Sequence, residues 1–211
     1  MKHSQALPID KEMMNRCIAL SSDSAQQGEY PYAAIISRNG HFVCESLNRV
    51  ARDHDVTRHA EVVALSEAQK ILGRTSLDDC TIYVNAEPCA FCCYAIRESR
   101  IGKVVFGLRS PLMGGLSRWN ILADRKLSSA IPEVFAPPPE IIAGCLEDKA
   151  EVAISRLHPV AWKFISMRYL FVSSTGAEVL TRAHTAHWRS WLPEWLMAPL
   201  RRTFFDRIGR R

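Results

Sequence analysis

His59-Ala60-Glu61, followed about 30 residues on by Pro88-Cys89-Ala90-Phe91-Cys92, is the pair of segments on which the reading of this sequence turns. Each half is modest alone. A His two residues before a Glu arises often by chance, and Cys-x-x-Cys also marks redox dithiols and structural zinc sites. Together, each at the expected start of a helix directly after a strand or loop, they describe one metal centre. Cys89 and Cys92 are three apart, so at a helix start their sulfurs share a face and can bind a single ion. The helix N-terminal dipole and the cation both favour thiolate. His59 adds a neutral imidazole from a neighbouring helix. Three protein ligands leave the fourth tetrahedral position to water, the arrangement of a catalytic rather than a structural zinc. Glu61, one residue removed from a ligand, reaches that water without ligating and is suited to moving protons.

Other readings of the same residues stand beside this one. Cys93 is adjacent and competes as a ligand, although Cys-x-x-Cys is the more compact geometry. A thioredoxin-like dithiol at Cys89 and Cys92 leaves His59 and Glu61 without a purpose. A closed structural zinc needs a fourth protein ligand, for which His54 and Cys93 are the nearest. Cys17, Cys44, Cys80 and Cys145 lie in apolar surroundings and read as inert core residues.

Working outward, residues 10–26 have helical spacing, and Asn39-Gly40 reads as a hairpin turn between Ala33-Ala34-Ile35-Ile36 and His41-Phe42-Val43-Cys44. Residues 59–72 read as a helix ended by Gly73. A strand at Thr81–Val84 leads to a helix expected from Pro88 to about Ser99, because proline suits a first helical turn. Lys103–Gly107 is a further strand. A Gly/Pro-punctuated stretch follows, with some helix expected near Trp119–Leu122. A strand at Ile141-Ile142-Ala143 and a helix over roughly 146–157 complete the pattern. A hairpin followed by alternating helix and strand implies an α/β sandwich with a partly parallel sheet.

The domain expected over residues 1–160 is followed by a helical, Trp/Arg-rich extension over 161–211. Residues 160–172 read as one more apolar helix, and 184–211 hold three of the five tryptophans. The formal net charge is +5, and all of it lies from Arg182 onward, where seven arginines face Glu194 and Asp206. The body is balanced at 20 basic and 20 acidic residues, so no basic groove for a nucleic-acid backbone is evident there. Seven cysteines are an odd count, and Met1 to Asp10 carries no apolar export signal. No stretch approaches the roughly 20 apolar residues of a membrane span, so the expected compartment is the cytoplasm.

From about residue 10 to 158 the chain resembles the cytidine-deaminase-like superfamily, particularly the branch of guanine, cytosine and tRNA adenosine deaminases. The likeness is carried by Tyr30-Pro31-Tyr32-Ala33-Ala34, Leu47-Asn48-Arg49-Val50, Asp55-Val56-Thr57-Arg58-His59-Ala60-Glu61, Leu77-Asp78-Asp79-Cys80 and Ala86-Glu87-Pro88-Cys89. The resemblance implies a three-layer α/β/α sandwich around a five-stranded mixed sheet, usually dimeric. It implies Zn2+ on His59, Cys89 and Cys92, with Glu61 as the catalytic acid/base. Asn48 matches the asparagine that hydrogen-bonds the base or its ribose, and is otherwise a turn residue at a strand end. Tyr32 stands where relatives set a residue against the ring, and is otherwise plain core. The Cys89 N–H is the expected donor to a substrate carbonyl. Ala33 and Phe91 depart from the glycine and methionine common in relatives. Met113 to Asn120 lies where family members line the substrate entrance.

The expected activity is hydrolytic deamination of a free nucleobase or small nucleoside, with guanine or cytosine foremost. The second reading is adenosine-to-inosine editing of tRNA, which needs a flipped base and phosphate contacts that only the basic tail offers. A third is a non-catalytic partner- or membrane-binding protein on a deaminase body, with the tail as an interfacial anchor.

Overall fold

The computed structural model describes residues 5–157 and 171–172. A five-stranded sheet runs in the order β2-β1-β3-β4-β5. Strands β1 (Ala33–Arg38) and β2 (His41–Leu47) form the foreseen hairpin, and both turn residues take left-handed backbone, Asn39 at φ 50° and Gly40 at φ 80°. That geometry matches the right-handed twist of the flanking strands. β1 also pairs antiparallel with β3 (Cys80–Ala86). β3, β4 (Lys103–Leu108) and β5 (Glu140–Ala143) are parallel, so the sheet is mixed as expected.

Alternation along the central strands divides the core in two. Ala34, Ile36, Ile82, Val84, Val104 and Phe106 face α3 (Ala60–Leu72) and α4 (Ala90–Glu98). Ala33, Ile35, Tyr83, Val105 and Ile142 face α1 (Pro8–Gln26) and α6 (Glu147–Leu157). Helices on both faces of the sheet make the three layers. Cys17, Cys44, Cys80 and Cys145 are all buried, in keeping with a core role.

Three details differ from the sequence reading. The helix expected from Pro88 starts at Ala90, with Cys89 as an extended N-cap at φ −67° and ψ 170°. No helix forms at Trp119–Leu122: Asn120 is left-handed at φ 54°, and the carbonyls of Ile121 and Leu122 are taken by the buried Arg97 guanidinium at 2.8 and 3.2 Å. The helix of this stretch is instead α5 (Arg125–Ala130), capped by Asp124, whose carboxylate accepts from the Lys126 and Leu127 N–H groups. At the end of the apolar helix expected over 160–172, Val172 makes an extended bridge with Arg109. The remainder of that expectation, and the Trp/Arg-rich tail, lie outside the described residues.

Ligands of parallel α/β sheets collect beyond the carboxyl ends of the strands. Here β3 ends at Ala86 and the chain runs through Glu87 and Pro88 straight into Cys89. The short helix α2 (Val50–Asp53) and the loop after it bring His59 to the same end.

Candidate metal centre

His59 and Cys89 occupy equivalent places on neighbouring helices. His59 is the N-cap of α3 at φ −62° and ψ 145°, and Cys89 is the N-cap of α4. Neither side chain caps its own helix, whereas the carbonyls do the helical work: Val63 N–H donates to His59 at 3.0 Å and Cys93 N–H to Cys89 at 2.9 Å. Both side chains are therefore free to turn towards each other, and each is carried at the positive end of its own helix dipole.

The three donor atoms form a compact triangle. Cys89 Sγ lies 3.6 Å from Cys92 Sγ and 3.6 Å from His59 Nδ1, and Cys92 Sγ lies 3.3 Å from His59 Nδ1. Zinc–sulfur bonds of about 2.3 Å and a zinc–nitrogen bond of about 2.0–2.1 Å at tetrahedral angles require separations of roughly 3.8 and 3.6 Å. The donor set thus fits one tetrahedral zinc, and it is the one such cluster of three among the described residues. Cys93 does not join it. Its thiol is buried on the other side of the helix start and donates to the Pro88 carbonyl at 3.3 Å.

The triangle is electrostatically primed. The Cys89 thiol is pulled down to about 4, first by the hydrogen bond from Cys92 and then by that from His59. Cys92 is pushed up by its bond to the Cys89 sulfur and by burial, so without an ion the pair shares a proton. The bond to Cys89 raises His59. Glu61, in the first turn of α3 and 6% exposed, is raised by burial and then by the neighbouring Cys89 charge. Burial raises the carboxyl's affinity for a proton, which suits a group that both takes and returns one.

Tyr32 and Asn48 stand beside each other at the β1–β2 end, where the Asn48 N–H donates to the Tyr32 carbonyl at 3.0 Å. The Tyr32 ring is stacked against Tyr30 at 6.4 Å between centroids and tilted against Phe171 at 6.2 Å. Its hydroxyl is pushed above its ordinary range by burial, and the Glu61 charge adds to the push. The Phe91 ring meets His59 edge-on at 5.8 Å.

Three supporting residues had no role in the sequence reading. Asn85, fully buried, accepts from the Ala33 N–H at 3.1 Å and donates to the Pro31 carbonyl at 2.9 Å, fixing the segment that carries Tyr32. Glu87 accepts from the N–H groups of Ser110, Leu116 and Ser117 and from the Ser117 hydroxyl, drawing the 110–117 loop onto the start of α4. Gly114 and Gly115 permit that approach, because a Cβ on either would collide with Glu87 or Cys93 respectively. Glu29 accepts from the Asn48 amide. The available signal was a glutamate shortly before each of two prolines, Glu29-Tyr30-Pro31 and Glu87-Pro88, in segments with no other charge.

The zinc-binding region of cytidine and deoxycytidylate deaminases matches residues 8–108 of the chain. The tRNA-specific adenosine deaminase of Aquifex aeolicus is 37% identical over 113 residues, covering 53% of this chain and 75% of that protein. The guanine deaminase of Bacillus subtilis is 38% identical over 94 residues, covering 44% and 60% respectively. The tRNA(Ile)-lysidine synthase of Deinococcus radiodurans is 38% identical over 129 residues, of which the chain spans 22% of the length. A solved structure from studies of A-to-I editing by tRNA:A34 deaminases aligns with TM-score 0.60 at 25% identity, covering 67% of this chain and 99% of that one.

Proposed function

The chain belongs to the cytidine-deaminase-like zinc deaminases, and we propose that within this family it removes the exocyclic amine of a free nucleobase or small nucleoside, guanine or cytosine foremost. Water and the amine become a ring carbonyl and ammonia. His59, Cys89 and Cys92 hold the zinc. Bound there, the ion supplies Lewis acidity and lowers the pKa of water from 15.7 towards about 7. Glu61 accepts a proton from the attacking water and delivers it to the ring nitrogen and then to the leaving amine, changing partners without leaving the site. Tyr32 offers its ring face to the base, backed by Tyr30 and Phe171, and Asn48 hydrogen-bonds the base edge.

The observation that carries the small-substrate reading is the pairing of the arginines that follow Asn48. Arg49 and Arg52 both bind Asp53, at 3.1 and 2.9 Å, and Arg58 binds Asp55 at 3.1 Å. The two carboxylates offset most of the positive charge at this rim, which weakens the attraction it offers a nucleic-acid phosphate and leaves a neutral base unaffected. The second reading, adenosine deamination in tRNA, is supported by the Aquifex relative and the A-to-I editing structure. A homodimer is supported by Phe91 and Tyr94, half exposed three residues apart on α4, where a second copy would cover them. All seven cysteines are free, as suits the cytoplasm.

The test is ammonia release by the zinc-loaded protein over guanine, cytosine, adenine, their nucleosides and a tRNA pool, with Glu61→Ala as control. Release from one base or nucleoside supports the first reading. Release from tRNA alone, weakening steeply with salt, replaces it by the second.

A further inference from the structure

Glu29 sits at the end of the turn after α1, outside the metal triangle, and is only 8% exposed. Its carboxylate spends both oxygens on neutral donors of one segment. Oε2 accepts from Asn48 Nδ2 at 3.0 Å and from the Ala51 N–H at 3.2 Å, and Oε1 accepts from the Arg52 N–H at 2.6 Å. The same segment is closed at its far end by the Arg49 N–H on the Arg58 carbonyl at 2.9 Å, directly before His59.

An ionised carboxylate only accepts, so the nitrogen of the Asn48 amide must face it and Oδ1 must face away. An asparagine without such a neighbour exchanges these ends by a half-turn about its last torsion. We propose that Glu29 is a positioning residue that fixes the polarity of Asn48, presenting Oδ1 to the substrate and selecting bases whose facing edge carries an N–H donor. This rests on Asn48 being a substrate contact. Capping the 50–53 turn explains the bonds to Ala51 and Arg52, but not the third bond, to a side chain that caps nothing. Guanine offers ring N–H groups to such an acceptor while its exocyclic amine is the group that leaves, whereas the base of adenosine has no ring N–H to offer.

Exchange of donor and acceptor between the two positions tests the proposal. Glu29→Gln allows the amide to turn, and Asn48→Asp sets two carboxylates against each other; each single variant is expected to lower kcat/KM for guanine about 10- to 100-fold. In the double variant Glu29→Gln/Asn48→Asp, the amide now at position 29 donates to one oxygen of the carboxylate now at position 48. The other oxygen remains as the acceptor, so kcat/KM recovers at least about tenfold over either single variant. A role confined to capping predicts additive losses, and additive losses with zinc content and Tm unchanged overturn the proposal. In Asn48→Ala, Glu29→Gln should have no further effect on KM, and an undiminished effect also overturns it. A readout without substrate separates this from the activity itself. The Asn48 side-chain amide protons should exchange slowly in the wild-type NMR spectrum and rapidly in Glu29→Gln. Wild-type protein inert on guanine but showing that difference sinks the substrate assignment and sustains the polarity; equal exchange in both refutes the polarity whatever the substrate.

Discussion

Replacing Arg97 by Met should cost the fold several kcal/mol while leaving every metal-site residue in place. Arg97 lies on α4, eight residues beyond Cys89, and is 2% exposed. Its Nη1 donates to the carbonyls of Ile121, Leu122 and Asp124 at 2.8, 3.2 and 3.2 Å, and Nη2 donates to Ser128 Oγ and to the Ala136 carbonyl at 2.9 Å. One guanidinium thus replaces the backbone bonds that a helix at Trp119–Leu122 would have made. Methionine fills similar volume but satisfies none of these acceptors. The Ala136 carbonyl keeps a bond from the Ser128 hydroxyl at 2.7 Å. The two fully buried bonds, to Ile121 and Leu122, leave carbonyls orphaned at about 1–3 kcal/mol each. Against this, Arg97 Nε has no partner among the described atoms, and the desolvation of a buried cation is recovered. The net expectation is a loss of about 2–5 kcal/mol, or roughly 4–20 °C in Tm for a domain of this size. The assay is urea unfolding at fixed saturating zinc, because bound metal adds its own stability, with amide exchange followed over residues 119–136. A loss below about 1 kcal/mol with unchanged protection there would refute the assignment of Arg97 as the organiser of this loop. Arg97→Lys should recover little, since a single ammonium cannot span acceptors on both sides of a planar fork.

Glu61→Gln should retain stoichiometric zinc and lose turnover by about 10²–10⁴-fold, read by metal analysis beside ammonia release; full activity would remove Glu61 from the mechanism. Cys89→Ala or Cys92→Ala should abolish zinc binding outright, and Cys93→Ala should not, a contrast that equilibrium dialysis measures directly. Because the Cys92 proton must leave before the metal enters, zinc affinity should rise as pH rises and fall as pH falls, by about tenfold per unit for each proton released. Competition with a chelator at pH 6 and pH 8 checks the sign. Lys103→Met should cost about 1–3 kcal/mol, because Asp10, 1% exposed, loses the ammonium it holds at 2.8 Å but keeps the Tyr83 hydroxyl at 3.1 Å and the Leu7 N–H at 2.9 Å, and adding Asp10→Asn should return part of that loss in a denaturation series.

The metal triangle and the buried carboxyl of Glu61 beside it were legible in the chain because they depend on local geometry. Two helix starts, one carrying Cys89 and Cys92 three residues apart and the other His59 with Glu61 two residues on, prescribe a bidentate thiolate pair and an imidazole beside a carboxylate whatever surrounds them. The sheet was equally legible: Asn39-Gly40 enforces its hairpin through left-handed backbone, and the short unbroken apolar runs of β1, β3 and β4 mark strands buried on both faces. The 119–136 stretch was not, because its conformation comes from Arg97, over twenty residues earlier, and a side chain's distant partners leave no periodicity in the segment they organise. Asn48 and Tyr32 could be singled out by resemblance, yet the orientation of the Asn48 amide follows from Glu29, which only the fold brings within 3.0 Å. Local propensity and spacing decide which residues can ligate, turn or alternate. Which buried acceptors find donors, and which way an amide must face, is decided by the burial that the finished tertiary structure imposes, because only there does an unpaired polar group carry its full cost.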